Sequence, residues 1–210
     1  LPKTAWPPTF SLVTTLIAIT VAALAAYGIV RFFTRLGSAM SKVLVTTYIF
    51  PPILLAIPYS VVMGKLELIN TRIGLVIVYL SFSVPYAVWL LTGFFRTVPL
   101  EIEEAARIDG ANKMQTFVQV VLPLVAPGVV ATAIYTFINT WNEFLYALIL
   151  MNNTSKMTVA VALRSLDGAE ILDWGDMMAA SALVVLPSVI FFCLIQNKIA
   201  GGMSDGAVKS

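Results

Sequence analysis

Five stretches of this chain carry no charged residue at all: Thr4–Val30, Val43–Gly64, Ile73–Phe95, Met114–Asn142 and Met177–Asn197. Each exceeds the roughly 20 residues that a helix needs to cross a hydrocarbon core of about 30 Å. Inside lipid no water is available to the backbone, so a spanning segment must be a helix or part of a closed barrel. The runs are continuously apolar and lack the period-two alternation of barrel strands. The expected fold is therefore all-α, a polytopic membrane bundle with five spans. Composition agrees: 59% of residues are hydrophobic, 11% are charged and the mean hydropathy is +0.91. A soluble domain carries about 25% charged residues.

The segments between the runs set the orientation. Arg31–Lys42, Arg96–Pro123 and the C-terminus share one side and hold eight of the thirteen basic residues, which makes that side cytoplasmic. The other side holds Lys3, Lys65, Arg72, Lys156 and Arg164, and its loop 151–176 is net acidic. A net charge of +2 with no groove-sized basic patch gives no reason to expect nucleic acid. The chain has no His, which excludes His-based zinc sites and triads, and Cys193 has no partner for a disulfide. "GGMSDGAVKS" lacks the Gly-Lys step of a phosphate loop, so energy from ATP would have to come from another chain. Residues 1–210 show no internal repeat and read as one membrane domain.

Charge is concentrated where the lipid is not. Glu101–Gly110, "EIEEAARIDG", carries four of the eleven acidic residues. Thr97 is expected to cap a helix, with Pro99 in its first turn and Glu101, Glu103 and Glu104 at the favoured end of the macrodipole. Gly110 is expected to end it in the left-handed conformation. Asn112 and Gln115 then form a relative of the capping box for a second helix running toward Leu122 and Pro123. Leu100, Ala105, Ala106 and Ile108 form an apolar face, with Glu101, Glu104, Arg107 and Asp109 polar. Surface-bound helices are normally basic, so an acidic one suits a protein partner better than an anionic leaflet.

The same residues carry a resemblance. Glu104, Ala105, Ala106, Gly110, Val120, Leu122 and Pro123 resemble the loop motif of membrane subunits of ATP-binding-cassette importers, with Val120 where Ile is usual. "GFFRTVPLEIEEAARIDGA" and "NTWNEFLYAL" resemble the carbohydrate-uptake branch of these permeases, relatives of the inner-membrane subunits of maltose importers. The resemblance implies a cytoplasmic coupling helix within loop 96–123 that docks on a separate ATPase subunit. It implies two such ATPases that bind ATP and Mg, a second permease, an extracytoplasmic sugar-binding protein, and a bacterial or archaeal inner membrane. This chain would bind no cofactor itself. The family commonly has six spans, so the first of six is expected upstream of Leu1.

Two further segments invite functional readings. In "FINTWNEFLYAL" the residues Asn139, Asn142 and Glu143 recur at helical spacing, with Tyr135, Trp141 and Tyr146 nearby. A carboxylate within a span either ties helices together or faces a cavity. In the second case the amides and Glu143 would bond sugar hydroxyls, and Trp141 or a Tyr would stack on the sugar. The tail 198–210 is expected to be flexible because of Gly201, Gly202 and Gly206. By resemblance, Gly202, Ser204 and Gly206 would reach between the ATPase subunits. The acidic loop 151–176, with Asp167, Glu170, Asp173, Trp174 and Asp176, either contacts the binding protein or is ordinary solvated loop. Prolines 51, 52, 58, 85, 127 and 187 either kink spans or are simply packed. Rival readings are an ion-coupled secondary transporter with Glu143 as proton carrier, and a non-transporting scaffold or sensor.

Overall fold

The computed structural model describes residues 9–153, 157–166 and 174–207. They form helices and turns, with no strand among the described residues. The helices are α1 (Thr9–Arg31), α2 (Thr34–Ile49), α3 (Pro52–Lys65), α4 (Arg72–Arg96), α5 (Leu100–Ile108), α6 (Lys113–Leu124), α7 (Ala126–Trp141), α8 (Leu145–Leu150), α9 (Val159–Leu166) and α10 (Trp174–Ala207).

The most extensive contact is that of α1 with α4, and both also touch α7. The two lie parallel: Thr9 and Phe10 adjoin Arg72 and Ile73, while Tyr27 adjoins Phe95 at the other end. On α1 the residues Thr14, Ala18, Ala22 and Ala26 recur every fourth position and are fully buried. In lipid there is no hydrophobic drive between helices, and small residues let backbones approach closely enough for dispersion to act. Helix α7 has a similar row, Gly128, Thr132, Thr136 and Thr140. Each threonine hydroxyl donates to the carbonyl four residues earlier, so these buried polar groups are satisfied within the helix. Outward-facing Leu12, Leu16, Ile53, Ile57, Val189 and Phe192 stay exposed, which makes the outside as apolar as the inside.

Two runs depart from single helices. The second breaks at Phe50 and Pro51, both in extended conformation, before α3 begins at Pro52. Proline lacks the donor that would continue the ladder and pushes its predecessor out of the helical region. The chain nevertheless keeps its direction, from Leu44 beside the Tyr27 end to Met63 beside Leu75. The fourth run bends by 78° between α6 and α7. Residues Thr116–Val121 form a π-helical segment just before Pro123, with the Leu122 amide donating to Phe117. Such a segment absorbs the loss of Pro123's donor. Pro58, Pro85 and Pro187 sit inside unbroken helices.

Five spans were expected, and the described helices meet that expectation only in part. Among the described residues two helices, α1 and α4, are each long and apolar enough to cross a membrane, and α6 with α7 makes a third if counted as one bent span. The stretches Pro52–Lys65 and Met177–Cys193 are apolar but shorter. The C-terminal segment also differs from expectation, because α10 continues as helix through Ala207 and includes Gly202, Ser204 and Gly206. A ladder already running adds one bond per residue fixed, and this offsets the roughly 1 kcal/mol that each glycine costs. Asp167, Glu170 and Asp173 of the acidic loop lie outside the described residues.

A Cβ on Gly128 would overlap the ring of Phe94 on α4. Gly128→Ala is therefore expected to destabilise the bundle by about 1–3 kcal/mol. Phe94→Ala should recover part of the loss in the double variant, as read from thermal unfolding in detergent.

Candidate functional site

Two places in the fold gather polar groups. The first is α5, which follows α4 after a short turn at the Arg31 end of the bundle. Its start differs from expectation, because Thr97 belongs to the end of α4, where its hydroxyl donates to the Phe94 carbonyl at 2.8 Å. Pro99 holds the cap position of α5 with no side-chain bond. The helix ends as expected: Gly110 has φ 91°, its amide donates to Arg107, and the Ala111 amide donates to Ala106 at 3.0 Å. Asn112 and Gln115 form the full reciprocal capping box of α6.

The faces of α5 are inverted relative to an ordinary amphipathic helix. Glu103 is 0% exposed, whereas Ile108 is 86% exposed, and Leu100, Ile102, Glu101, Glu104, Ala105, Arg107, Asp109 and Gly110 also face outward. Ala106 is half-buried. Glu103 is satisfied from α1: the Tyr27 hydroxyl donates to Oε2 at 2.8 Å and Arg31 Nε donates to Oε1. Arg31 also donates to the Val98 carbonyl at 2.7 Å, and Arg107 lies 3.9 Å from the carboxylate. The sequence reading named Glu103 with Glu101 and Glu104 in the acidic first turn offered to the ATPase, and the structure places Glu103 inside. Leu122 is half-buried and Pro123 exposed on α6.

The second place is a cavity of about 360 Å³ beside the middle of α4. Apolar clusters close the bundle at both ends of α4, with Leu75, Val78 and Tyr79 at one and Leu91, Phe95 and Val121 at the other. Between them the cavity wall is polar and aromatic: Tyr59, Phe82, Ser83, Tyr86, Tyr135, Thr136, Asn139, Glu143 and Tyr146. The rings brace one another, Tyr86 stacked on Tyr135 at 4.4 Å and Phe82 on Tyr146 at 5.8 Å. An adjoining space of about 590 Å³ shares Tyr59, Phe82 and Phe50 and extends to Lys42. Among the described residues no three His, Cys, Asp or Glu side chains come together as metal ligands.

Residues 18–204 match the family model described as binding-protein-dependent transport system inner membrane component. The chain belongs to this family. It is 35% identical to the trehalose transport system permease protein SugB of Mycobacterium tuberculosis over 94% of its own length and 73% of that protein. It is 32% identical to the diacetylchitobiose uptake system permease protein NgcG of Streptomyces coelicolor, over 89% of this chain and 63% of that one. Its fold matches a chain in the crystal structure of a bacterial ABC transporter involved in import of the acidic polysaccharide alginate. There the TM-score is 0.64 at 22% identity, covering 96% of this chain and 71% of the other.

In this inner membrane component the residues read from "FINTWNEFLYAL" separate into two groups. Tyr135, Asn139, Glu143 and Tyr146 line the cavity. Trp141 and Asn142 turn to α10 instead, Trp141 Nε1 donating to the Val184 carbonyl at 2.9 Å and Asn142 Nδ2 to Ser188 Oγ at 3.4 Å. Helix α7 ends at Trp141, so its regular spacing does not carry Asn142 and Glu143 to one face. Glu143 caps α8, accepting from the amides of Tyr146 at 2.8 Å and Ala147 at 3.1 Å. Tyr59, Phe82 and Tyr86 escaped the sequence reading. The aromatic pair Phe82 and Tyr86, four apart in an apolar run, was the available signal.

Replacing Glu143 by Ala leaves two amides of α8 without their acceptor, and a loss of about 1 kcal/mol is expected. The Glu143→Gln variant should lose less, because one acceptor oxygen remains. Paired thermal unfolding of Glu143→Ala and Glu143→Gln checks the order.

Proposed function

We propose that this chain is a permease subunit of an ATP-driven importer that moves a sugar or oligosaccharide across the cytoplasmic membrane by alternating access. The observation that carries the reading is the outward face of α5. A helix that keeps Glu103 inside and presents Ile108, Leu100, Ala105 and Glu104 outward offers low-relief apolar contact with a charged margin. That surface suits the cleft of a soluble protein, here a separate ATPase subunit. Two ATPases would bind ATP and Mg, a second permease would complete the translocation path, and an extracytoplasmic binding protein would deliver substrate. All five apolar runs would cross the membrane, the second and fourth as broken spans, with α5 on the cytoplasmic side.

The cavity supports the substrate class. Tyrosine hydroxyls, Asn139 and Ser83 are suited to sugar hydroxyls, and braced aromatic rings to the C–H faces of a pyranose. The relatives named for trehalose and diacetylchitobiose transport point the same way. An ion-coupled mechanism with Glu143 as carrier fits less well, since both carboxylate oxygens already accept backbone amides. A scaffold or sensor would bind the ATPase without moving sugar, and substrate-stimulated ATPase activity in the assembled transporter separates it from an importer.

The test is copurification with the ATPase and uptake into proteoliposomes for wild type, Glu104→Lys, Ile108→Glu and Gly110→Pro. Proline cannot adopt the φ of 91° found at Gly110, so it should misdirect the joint. Uptake is expected to require ATP and to fall about tenfold or more in each variant, the scale of losing one site-to-site coupling. Uptake by wild type in the absence of ATP would exclude the importer reading.

A further inference from the structure

We propose that Glu103, Arg31 and Tyr27 form a latch that fixes α5 to the α1–α4 pair, making Glu103 a positioning residue for coupling. The inference rests on the importer reading above, but concerns a different surface from the docking face.

The geometry shows a helix held at more than its chain connection. Helix α5 leaves α4 through Thr97, Val98 and Pro99, a covalent tether that by itself would allow it to pivot. Arg31, at the last turn of α1, clasps both sides of that pivot: one nitrogen donates to the Val98 carbonyl before the helix and another to Glu103 within it. Tyr27, one turn earlier on α1, takes the second carboxylate oxygen. Its ring lies against Phe32, Phe95 and Phe117, with centroids 6.0, 5.9 and 4.8 Å away, so it contacts α4 and α6 as well. Four helices therefore meet around one carboxylate.

The chemistry argues for a directional role. Glu103 is 0% exposed and Arg31 13% exposed, so both ions have given up most of their water. Apolar side chains of the same size often hold two elements together as well as a buried ion pair does. What the pair adds is fixed direction, because the planar guanidinium can reach two acceptors at set angles and a lysine cannot. A helix fixed in this way moves with α1 and α4 as one body. Helix α4 runs beside the cavity, and its Phe82, Ser83 and Tyr86 form part of the wall. Motion imposed on the outward face of α5 would thus reach the cavity without being lost in rotation of α5 about its own tether.

The experiment uses the complete transporter in proteoliposomes, with trehalose as the probe and its binding protein supplied, and reads sugar taken up per ATP hydrolysed. Glu103→Gln and Arg31→Lys are expected to lower that ratio about tenfold while the ATPase still copurifies, since they leave the outer face intact. Tyr27→Phe keeps the ring packing and removes one bond, so a smaller fall is expected. An unchanged ratio in Glu103→Gln and Arg31→Lys assemblies that retain the ATPase would overturn the latch and leave Glu103 a packing element. If those two variants fail to accumulate in the membrane, Tyr27→Phe decides, a wild-type ratio overturning the proposal and a reduced one supporting it. Wild-type uptake independent of ATP would instead overturn the importer reading and the latch with it.

Discussion

Helix α1 packs more extensively on α4 than any other pair of described helices does, and its fully buried row Thr14, Ala18, Ala22 and Ala26 holds nothing larger than a threonine. In hydrocarbon, dispersion across such a seam must hold helices that water would otherwise drive together. The consequences extend through the bundle. Apolar side chains close the ends of α4, Leu75 and Val78 with residues of α3 and α8 at one, and Leu91 and Phe95 with residues of α1 and α6 at the other. Helix α4 is about 37 Å long at 25 residues, so the space left near its middle is far from either end. That is where the polar and aromatic cavity lies.

The two inward-facing glutamates of this bundle are satisfied by different routes. Glu143 accepts backbone amides at the start of α8, which orders a local turn. Glu103 accepts from side chains of another helix more than 70 residues away in sequence, which orders tertiary structure. An unpaired group of either kind would bear the full desolvation cost in a medium of low dielectric constant. The two glutamates therefore constrain different things, Glu143 the edge of the cavity and Glu103 the attitude of α5. Threonines 132, 136 and 140 follow a third course and bond only within α7, which is why they can be buried without specifying any partner.

Much of this was legible in the residues. Gly110 announced the end of α5, and Asn112 with Gln115 the start of α6, because capping chemistry is local and its partners lie within four positions. The breaks inside the apolar runs were less legible. Pro51 with Pro52 ended a helix, whereas Pro58 and Pro85 did not, so the presence of a proline in an apolar run did not by itself mark a break. Thr97 illustrates the same limit: it could cap the helix after it or close the one before it, and the direction of the turn decided for the second. Spacing put Asn142 and Glu143 with Asn139, but beyond the end of α7 at Trp141 only Glu143 stays beside Asn139 at the cavity, while Asn142 turns to α10.

By itself the sequence determined that the chain is helical and apolar on its outside, because uncharged runs of this length leave the backbone no other way to satisfy its hydrogen bonds in lipid. It also determined where the polar connector lies and how its two helices are capped. Only the tertiary structure decided which acidic residue of that connector turns inward, since Glu101, Glu103 and Glu104 are equivalent by type and differ only in what α1 brings to meet them. It likewise decided that Tyr59, Phe82 and Tyr86 share a cavity with Glu143, a juxtaposition of three distant segments. Contacts of that kind depend on how helices cross, and helical periodicity describes one helix at a time.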